Sequence, residues 1–228
     1  MKRKSSSAKK AEPACPRILI VDDHPFLRVG LTESLGKEPG LAVCGAVATA
    51  EEALASIEKL RPDLVVTDLN LPGKSGLELI KDLSVLQPGL LTIVLSMHEE
   101  EIYAERCLRA GAKGYVMKSE GPEKLVAAIR QVLAGGIHVS AATSVRILKA
   151  FAGGRDQQAE TPLGQLTDRE FDIFQAIGRG LSTKEIAKHL HISSKTIETH
   201  RLHVKEKLGV ATAAELIAYA ARWISAGR

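Results

Sequence analysis

The chain has 228 residues, 45% hydrophobic and 25% charged, an ordinary balance for a soluble globular protein with two modest, separate cores. No run approaches the ~20 apolar residues of a membrane span, and the polar, basic residues 1–16 lack the apolar core of a secretory signal, so they read as a disordered arm. The formal charge of +4 is uneven, with thirteen Lys/Arg against seventeen Asp/Glu over residues 17–134 and ten against seven over residues 161–228, which suits a cation-binding or regulatory first domain and a polyanion-binding second one.

From residue 17 to 134 apolar runs alternate with amphipathic segments. Strands are predicted over 17–21, 41–47, 63–67, 91–95 and 113–117, and helices near 25–36, 50–60, 76–86, 99–109 and 122–134. Capping boxes mark two helix starts, Thr49 with Glu52 and Ser75 with Glu78, and Pro122 suits a first helical turn. Such alternation predicts a doubly wound parallel five-stranded sheet with helices on both faces. Gly135-Gly136 closes the last helix, a short helix follows over 141–152, and the polar stretch 153–162 is the expected flexible joint. Beyond Leu166 strand signals vanish. Boxes at Thr167/Glu170, Ser182/Glu185 and Thr212/Glu215, with a lone cap at Ser193, predict four helices near 168–178, 183–190, 194–207 and 213–224. The domains expected are thus an arm (1–16), an α/β domain (17–134), a linker (135–162) and an all-α domain (163–228). Cys15, Cys44 and Cys107 have no paired spacing and read as free thiols of a reducing cytoplasm.

Polar residues follow four of the strands on one edge. Asp22-Asp23 follow the first, Asp68 the third, Ser96 the fourth and Lys118 the fifth. The carboxyl edge of a doubly wound sheet is where such folds bind ligands. Three carboxylates held together need a cation, and hard oxygen ligands suit Mg²⁺. Lys118 offers a charge and Ser96 a hydroxyl to a phosphate oxygen. Together these are the parts of phosphoryl transfer onto Asp68. Acid chemistry of the dehalogenase type wants a second acid two residues on, where Asn70 stands.

In the helical end, two helices joined by His191-Ile192 form a helix-turn-helix. Ile197, Val204 and Leu208 mark the inner face of the second helix. Lys195, Thr196, Glu198, Thr199, His200, Arg201, His203 and Lys205 are expected to read bases or phosphates. Thr183 and Lys184, at the start of the first helix, can meet a phosphate. Glu198 is expected to accept from cytosine N4, with Arg201 or Lys205 on the backbone. The pairs His189/His191 and His200/His203 have metal-like spacing without cysteine or carboxylate company in the sequence.

Residues 17–134 resemble the receiver domain of bacterial two-component response regulators through Ile20-Val21-Asp22-Asp23-His24, Asp68 to Gly76, Leu95-Ser96-Met97-His98 and Gly114-Tyr115-Val116-Met117-Lys118. Leu166 to Glu170, Gly180 to Ala187, Ser194 to His200 and Lys207 to Val210 resemble the LuxR-type DNA-binding domain, so the whole is similar to the NarL/FixJ class. The resemblance implies a flavodoxin-like receiver, with Asp68 as phosphoacceptor for a sensor histidine kinase. It implies Mg²⁺ held by Asp22 or its water, by Asp23, by Asp68 and by the backbone carbonyl of Asn70. Ser96 and Tyr115 match the family's switch pair, hydroxyl towards the phosphate and ring inward. Lys118 is followed by Ser119, where longer-known receivers have proline. The resemblance further implies a cytoplasmic regulator rather than an enzyme, whose own chemistry ends at self-phosphorylation and autodephosphorylation. Phosphorylated homodimers would bind double-stranded DNA, and at rest the receiver would cover the recognition helix or block dimerisation.

Overall fold

The computed structural model describes residues 15–152 and 162–226. Most of the expected arm and joint fall outside the described residues. Five parallel strands, β1 (Arg17–Val21), β2 (Ala42–Val47), β3 (Leu64–Thr67), β4 (Leu91–Ser96) and β5 (Gly114–Met117), lie in the order β2-β1-β3-β4-β5. Between and after them run α1 (Pro25–Gly36), α2 (Ala50–Leu60), α3 (Gly76–Leu86), α4 (Glu100–Ala110) and α5 (Pro122–Leu133). β1 and β3 are near-continuous apolar runs because helices cover both faces. α1 and α5 close one face around Ile18, Ile20, Val66 and Ile129. α2 and α3 close the other around Leu19, Val65 and Leu79.

The open edge of β5 is shielded by the chain that follows α5. Tyr115 N donates to His138 O at 2.8 Å, and His138 N to Lys113 O at 2.9 Å. Gly114 pairs with His138 there, and a Cβ on it would stand 3.3 Å from His138 Cβ. This cover over an edge strand has no signature in the apolar pattern.

After α6 (Ala141–Ala152), the second half comprises α7 (Asp168–Gly178), α8 (Thr183–His189), α9 (Ser194–Leu208) and α10 (Ala213–Ala226). The boxes at Ser75, Thr167 and Ser182 form in full. At Thr49 and Thr212 the hydroxyl caps as expected, while the glutamate reaches one residue further back, to Ala48 N and Ala211 N. Ser193 caps α9 by accepting from Thr196 N. All three cysteines are free.

The cores are not separate. One cluster runs from Leu77, Ile80, Tyr103 and Cys107 of the first half into Phe171, Phe174, Ile197 and Leu216 of the second. Tyr103 sits edge-on to Phe171, ring centres 5.7 Å apart, and its hydroxyl donates to Asp172 Oδ1 at 2.8 Å. Arg106 lies 3.9 Å over the Phe171 ring and donates to the carbonyls of Leu163 and Leu166. An amphipathic pattern reports that α4 and α7 each bury a face, but not that they bury part of it against each other.

Gly76 opens α3 against the backbone that carries Asp68. A Cβ there would lie 1.8 Å from Asp68 O and 2.9 Å from Leu69 Cα. Gly76→Ala is expected to cost about 2–3 kcal/mol, by urea unfolding followed by circular dichroism, because backbone must yield. Gly30→Ala meets nothing within 4 Å inside α1 and is expected to keep or raise stability by about 0.5–1 kcal/mol.

Candidate functional site

The strand ends bring Asp22, Asp23, Asp68 and Lys118 together at one rim. Asp68 is 3% exposed and Asp22 1%. Lys118 Nζ lies 2.6 Å from Asp68 Oδ2 and 2.7 Å from Asp22 Oδ2. Leu69 N donates to Asp68 Oδ1 at 2.7 Å, and His24 N to Asp22 Oδ1 at 2.8 Å. Burial pushes the Asp68 pKa up, and the Lys118 charge only partly offsets it. Burial opposes the Lys118 charge, yet Asp68 and Asp22 outweigh it and hold the ammonium pKa above its usual value. Two buried carboxylates, Asp22 and Asp68, thus share the Lys118 ammonium, while among the described residues Asp23 beside them meets only imidazoles.

The donor set has room for another positive charge. No hydrogen-bond donor is aligned on Asp22 Oδ2 or Asp23 Oδ1, although Lys118 Nζ and His24 Nδ1 stand close by. Ligand atoms from Asp22, Asp23, His24 and Asp68 all lie within 4.8 Å of one another. Hard, buried and under-compensated oxygens fit a small divalent cation.

Ser96 and Tyr115 flank the cluster. Ser96 is fully buried, and its Oγ accepts from His98 N at 3.3 Å. The Tyr115 ring is buried and its hydroxyl donates to His98 O at 2.9 Å, so the ring already faces inward. Burial holds its phenol well above the ordinary range. The Asn70 side chain stands outside the carboxylate cluster. Its Oδ1 accepts from His98 Nε2 at 3.1 Å, and its Nδ2 donates to His189 Nε2 at 3.3 Å. Burial, then Arg179, His189 and Lys118, lower the His98 pKa to about 4, so its imidazole is neutral near pH 7.

His189 belongs to the second half. The α8–α9 turn reaches over the rim, with His191 Nε2 3.3 Å from Asp23 Oδ2 and the His189 ring 6.3 Å from that of His98. Arg169 donates to Gly73 O at 3.1 Å, and Lys81 pairs with Asp168 at 2.5 Å. Sequence reading missed this docking set, since its members lie far apart along the chain.

On α9, Lys195, Thr196, Glu198, Thr199 and His203 are exposed, as is Lys184 on α8. The receiver-like half therefore does not cover these side chains. Thr183 Oγ1 donates to Glu198 Oε1 at 2.8 Å and accepts from Arg201 Nη1 at 2.9 Å, which ties the starts of α8 and α9. Leu202, unmentioned by sequence reading, is 49% exposed on the same helix and can meet a thymine methyl. Lys205 instead reaches Ala211 O at 3.4 Å. His200 is only partly exposed and turns towards α7, where it joins His203 and Glu170 with ligand atoms within 4.8 Å. Lys207 Nζ fills that position, 2.6 Å from Glu170 Oε2. The carboxylate absent from the local sequence is thus supplied across the fold, but already neutralised.

Among the described residues no helix is long and apolar enough to cross a membrane. Residues 18–130 match the response regulator receiver domain, and residues 164–220 the luxR family of bacterial regulatory proteins. Response regulator GacA of Pseudomonas aeruginosa is 36% identical over 90% of this chain and 95% of its own. The nitrate/nitrite response regulator protein NarL of Escherichia coli is 35% identical over 93% and 95%. The structure of RcsB from Salmonella enterica serovar Typhimurium, bound to a promoter with phosphomimetic BeF₃⁻, superposes with a TM-score of 0.59 at 28% identity, over 90% of this chain and 98% of that one. A buried carboxylate rim, a helix-turn-helix and relatives matched nearly end to end place the chain among the DNA-binding transcription regulators of the NarL type, the response regulators that join a receiver to a LuxR-type helix-turn-helix.

Proposed function

We propose that Asp68 is the phosphoacceptor and that its phosphorylation frees the helix-turn-helix for DNA. The observation that carries this is Asp68 at the base of the rim, its Oδ2 2.6 Å from Lys118 Nζ. The Asp68 carboxylate forms the new P–O bond while the P–N bond to the kinase's phosphohistidine breaks, and the departing imidazole takes up a proton. Lys118 and the Ser96 hydroxyl meet phosphoryl oxygens. Asp22, Asp23, Asp68 and the Asn70 carbonyl would hold Mg²⁺, which when bound neutralises charge that Lys118 alone leaves uncompensated. The working units are the receiver over 17–134 and the DNA-binding domain over 163–228.

The DNA-facing role follows from the exposed α9 side chains. In a helix-turn-helix the amino end of the recognition helix enters the major groove. Here the turn just before that end rests on Asp23 and Asn70. A duplex cannot take up α9 while the receiver stands against its start, so undocking is the regulated step. In this docked arrangement the Tyr115 ring lies buried, its hydroxyl held by His98 O. Docking also engages Tyr103 and Arg106 on α4, whereas α1 presents Phe26, 95% exposed, and Val29, 59% exposed. We assign the homodimer contact to α1 and the output to two half-sites about one helical turn apart.

Gel shift against operator DNA tests the reading. With Mg²⁺ and a small acyl-phosphate donor, wild type is expected to bind roughly tenfold or more tighter, and Asp68→Asn to show no gain; equal binding in all four conditions leaves a receiver without phosphorylation control. Glu198→Ala is expected to lose discrimination at one C·G pair, worth about 1–3 kcal/mol. An unchanged ranking of operator variants refutes a reading role for Glu198.

Docking carries a titrating group. Burial lifts the Asp172 pKa to about 6, against the hydrogen bond from Tyr103 and the charge of Arg169; Asp168 adds to the rise and Arg106 opposes it. A pKa raised on docking means that the docked state prefers protonated Asp172. Docking should therefore strengthen as pH falls through 6 and weaken above it. From pH 7.5 to 5.5 the docking constant of wild type should rise roughly fourfold more than that of Asp172→Asn, measured by energy transfer between labels on the two halves.

A further inference from the structure

The mouth of the cation site is occupied by the DNA-binding half itself. His191 Nε2 stands 3.3 Å from Asp23 Oδ2, and His189 Nε2 takes a hydrogen bond from Asn70 Nδ2 at 3.3 Å. Asp23 and Asn70 are each only partly buried, whereas Asp22 and Asp68 are buried. His191 has φ +53°, and the left-handed turn helps set the direction of its ring. Mg²⁺ binds with several waters retained, so it needs open volume above its carboxylates as well as the oxygens themselves. The His191 imidazole stands against Asp23 at that mouth, and His189 stands beside it against the Asn70 side chain.

We propose that the α8–α9 turn and a hydrated divalent cation compete for the rim, His191 displacing the cation's hold on Asp23 and His189 its waters beside Asn70. This rests on the assignment of Mg²⁺ to that rim. The cation alone, before any phosphoryl group arrives, then weakens docking. DNA that draws the turn away strengthens cation binding by the same factor that the cation strengthens DNA binding, because coupling between two sites is reciprocal. Operator DNA thereby prepares the receiver for its own phosphorylation.

The experiment is Mg²⁺ titration of the full chain by calorimetry without a phosphodonor, for wild type and for the double variant His189→Ala/His191→Gly. Glycine keeps the left-handed turn at 191. Trp223, the only tryptophan, lies 5.6 Å from Phe171 at the docked face and reports undocking by its emission. The double variant should bind Mg²⁺ at least about fivefold tighter. Operator DNA should tighten wild type by a similar factor and leave the variant unchanged. Mg²⁺ should shift Trp223 emission in wild type towards that of the variant. Equal Mg²⁺ affinity in the two proteins, with and without DNA, overturns the competition alone. Absence of Mg²⁺ uptake in both overturns the cation assignment and the competition with it. Circular dichroism of the variant, expected to match wild type, separates lost competition from lost fold.

Discussion

Everything about the rim follows from three neighbouring carboxylates at strand ends, two of them buried on one ammonium. Burying a charge is costly unless it is paired and hydrogen-bonded. Lys118 pairs with both Asp68 and Asp22, yet the Asp68 pKa still rises, because burial costs its charged form more than the Lys118 ammonium returns and Asp22 adds to the cost. The fold accepts this because the sheet fixes where each strand ends: β1, β3 and β5 deliver their carboxyl termini to one edge whether or not the charges agree. The resulting deficit is a store of binding free energy for positive charge. It makes Asp68 responsive to what arrives at the rim.

The DNA-binding half docks against the same rim. The turn offers imidazoles to Asp23 and Asn70, and α7 adds an aromatic and polar seam along α4. Some of that seam is weak. Lys81 is 54% exposed in its pair with Asp168, and exposed pairs contribute little. Arg106 does more, since one guanidinium covers Phe171 and caps two carbonyls before α7. A seam in which a shared apolar cluster is pinned by a few specific polar contacts can have two discrete arrangements, pinned and released. That is the property a switch between two arrangements requires.

The strands were legible because each is a short apolar run, four of them followed directly by a polar residue, and several helices because Ser75, Thr167 and Ser182 carry complete capping boxes. Asp22, Asp23, Asp68, Ser96 and Lys118 were legible for the same reason: a strand end fixes a position in space. What stayed hidden depends on residues distant in sequence. Nothing near Tyr103 announces Asp172, and nothing near Glu170 announces that His200 will turn to it. The expectation of separate cores failed on α4 and α7, since an amphipathic pattern shows that a face is buried and not against what. The expected cover over the recognition helix failed in detail too. The contact is with the turn before α9, while Lys195, Thr196 and Glu198 stay exposed.

His98 shows how news of Asp68 can cross to that turn. Its backbone N–H meets Ser96 Oγ and its carbonyl holds the Tyr115 hydroxyl. Its ring donates to Asn70, stacks 4.6 Å from Tyr103 and faces His189. Ser96 and Tyr115 therefore meet the backbone of His98, while Asn70, Tyr103 and His189 meet its ring. Held neutral by burial, His98 transmits position rather than charge. If Asp68 is phosphorylated as proposed and Ser96 Oγ turns to a phosphoryl oxygen, it would give up the His98 N–H and free the loop carrying His98 to shift. A shift there moves Tyr103 against Phe171 and Asn70 against His189 together. Two contacts that hold the halves closed would then loosen from one hydrogen bond exchanged at the rim, which is how a change at a buried carboxylate reaches a helix 130 residues further along the chain.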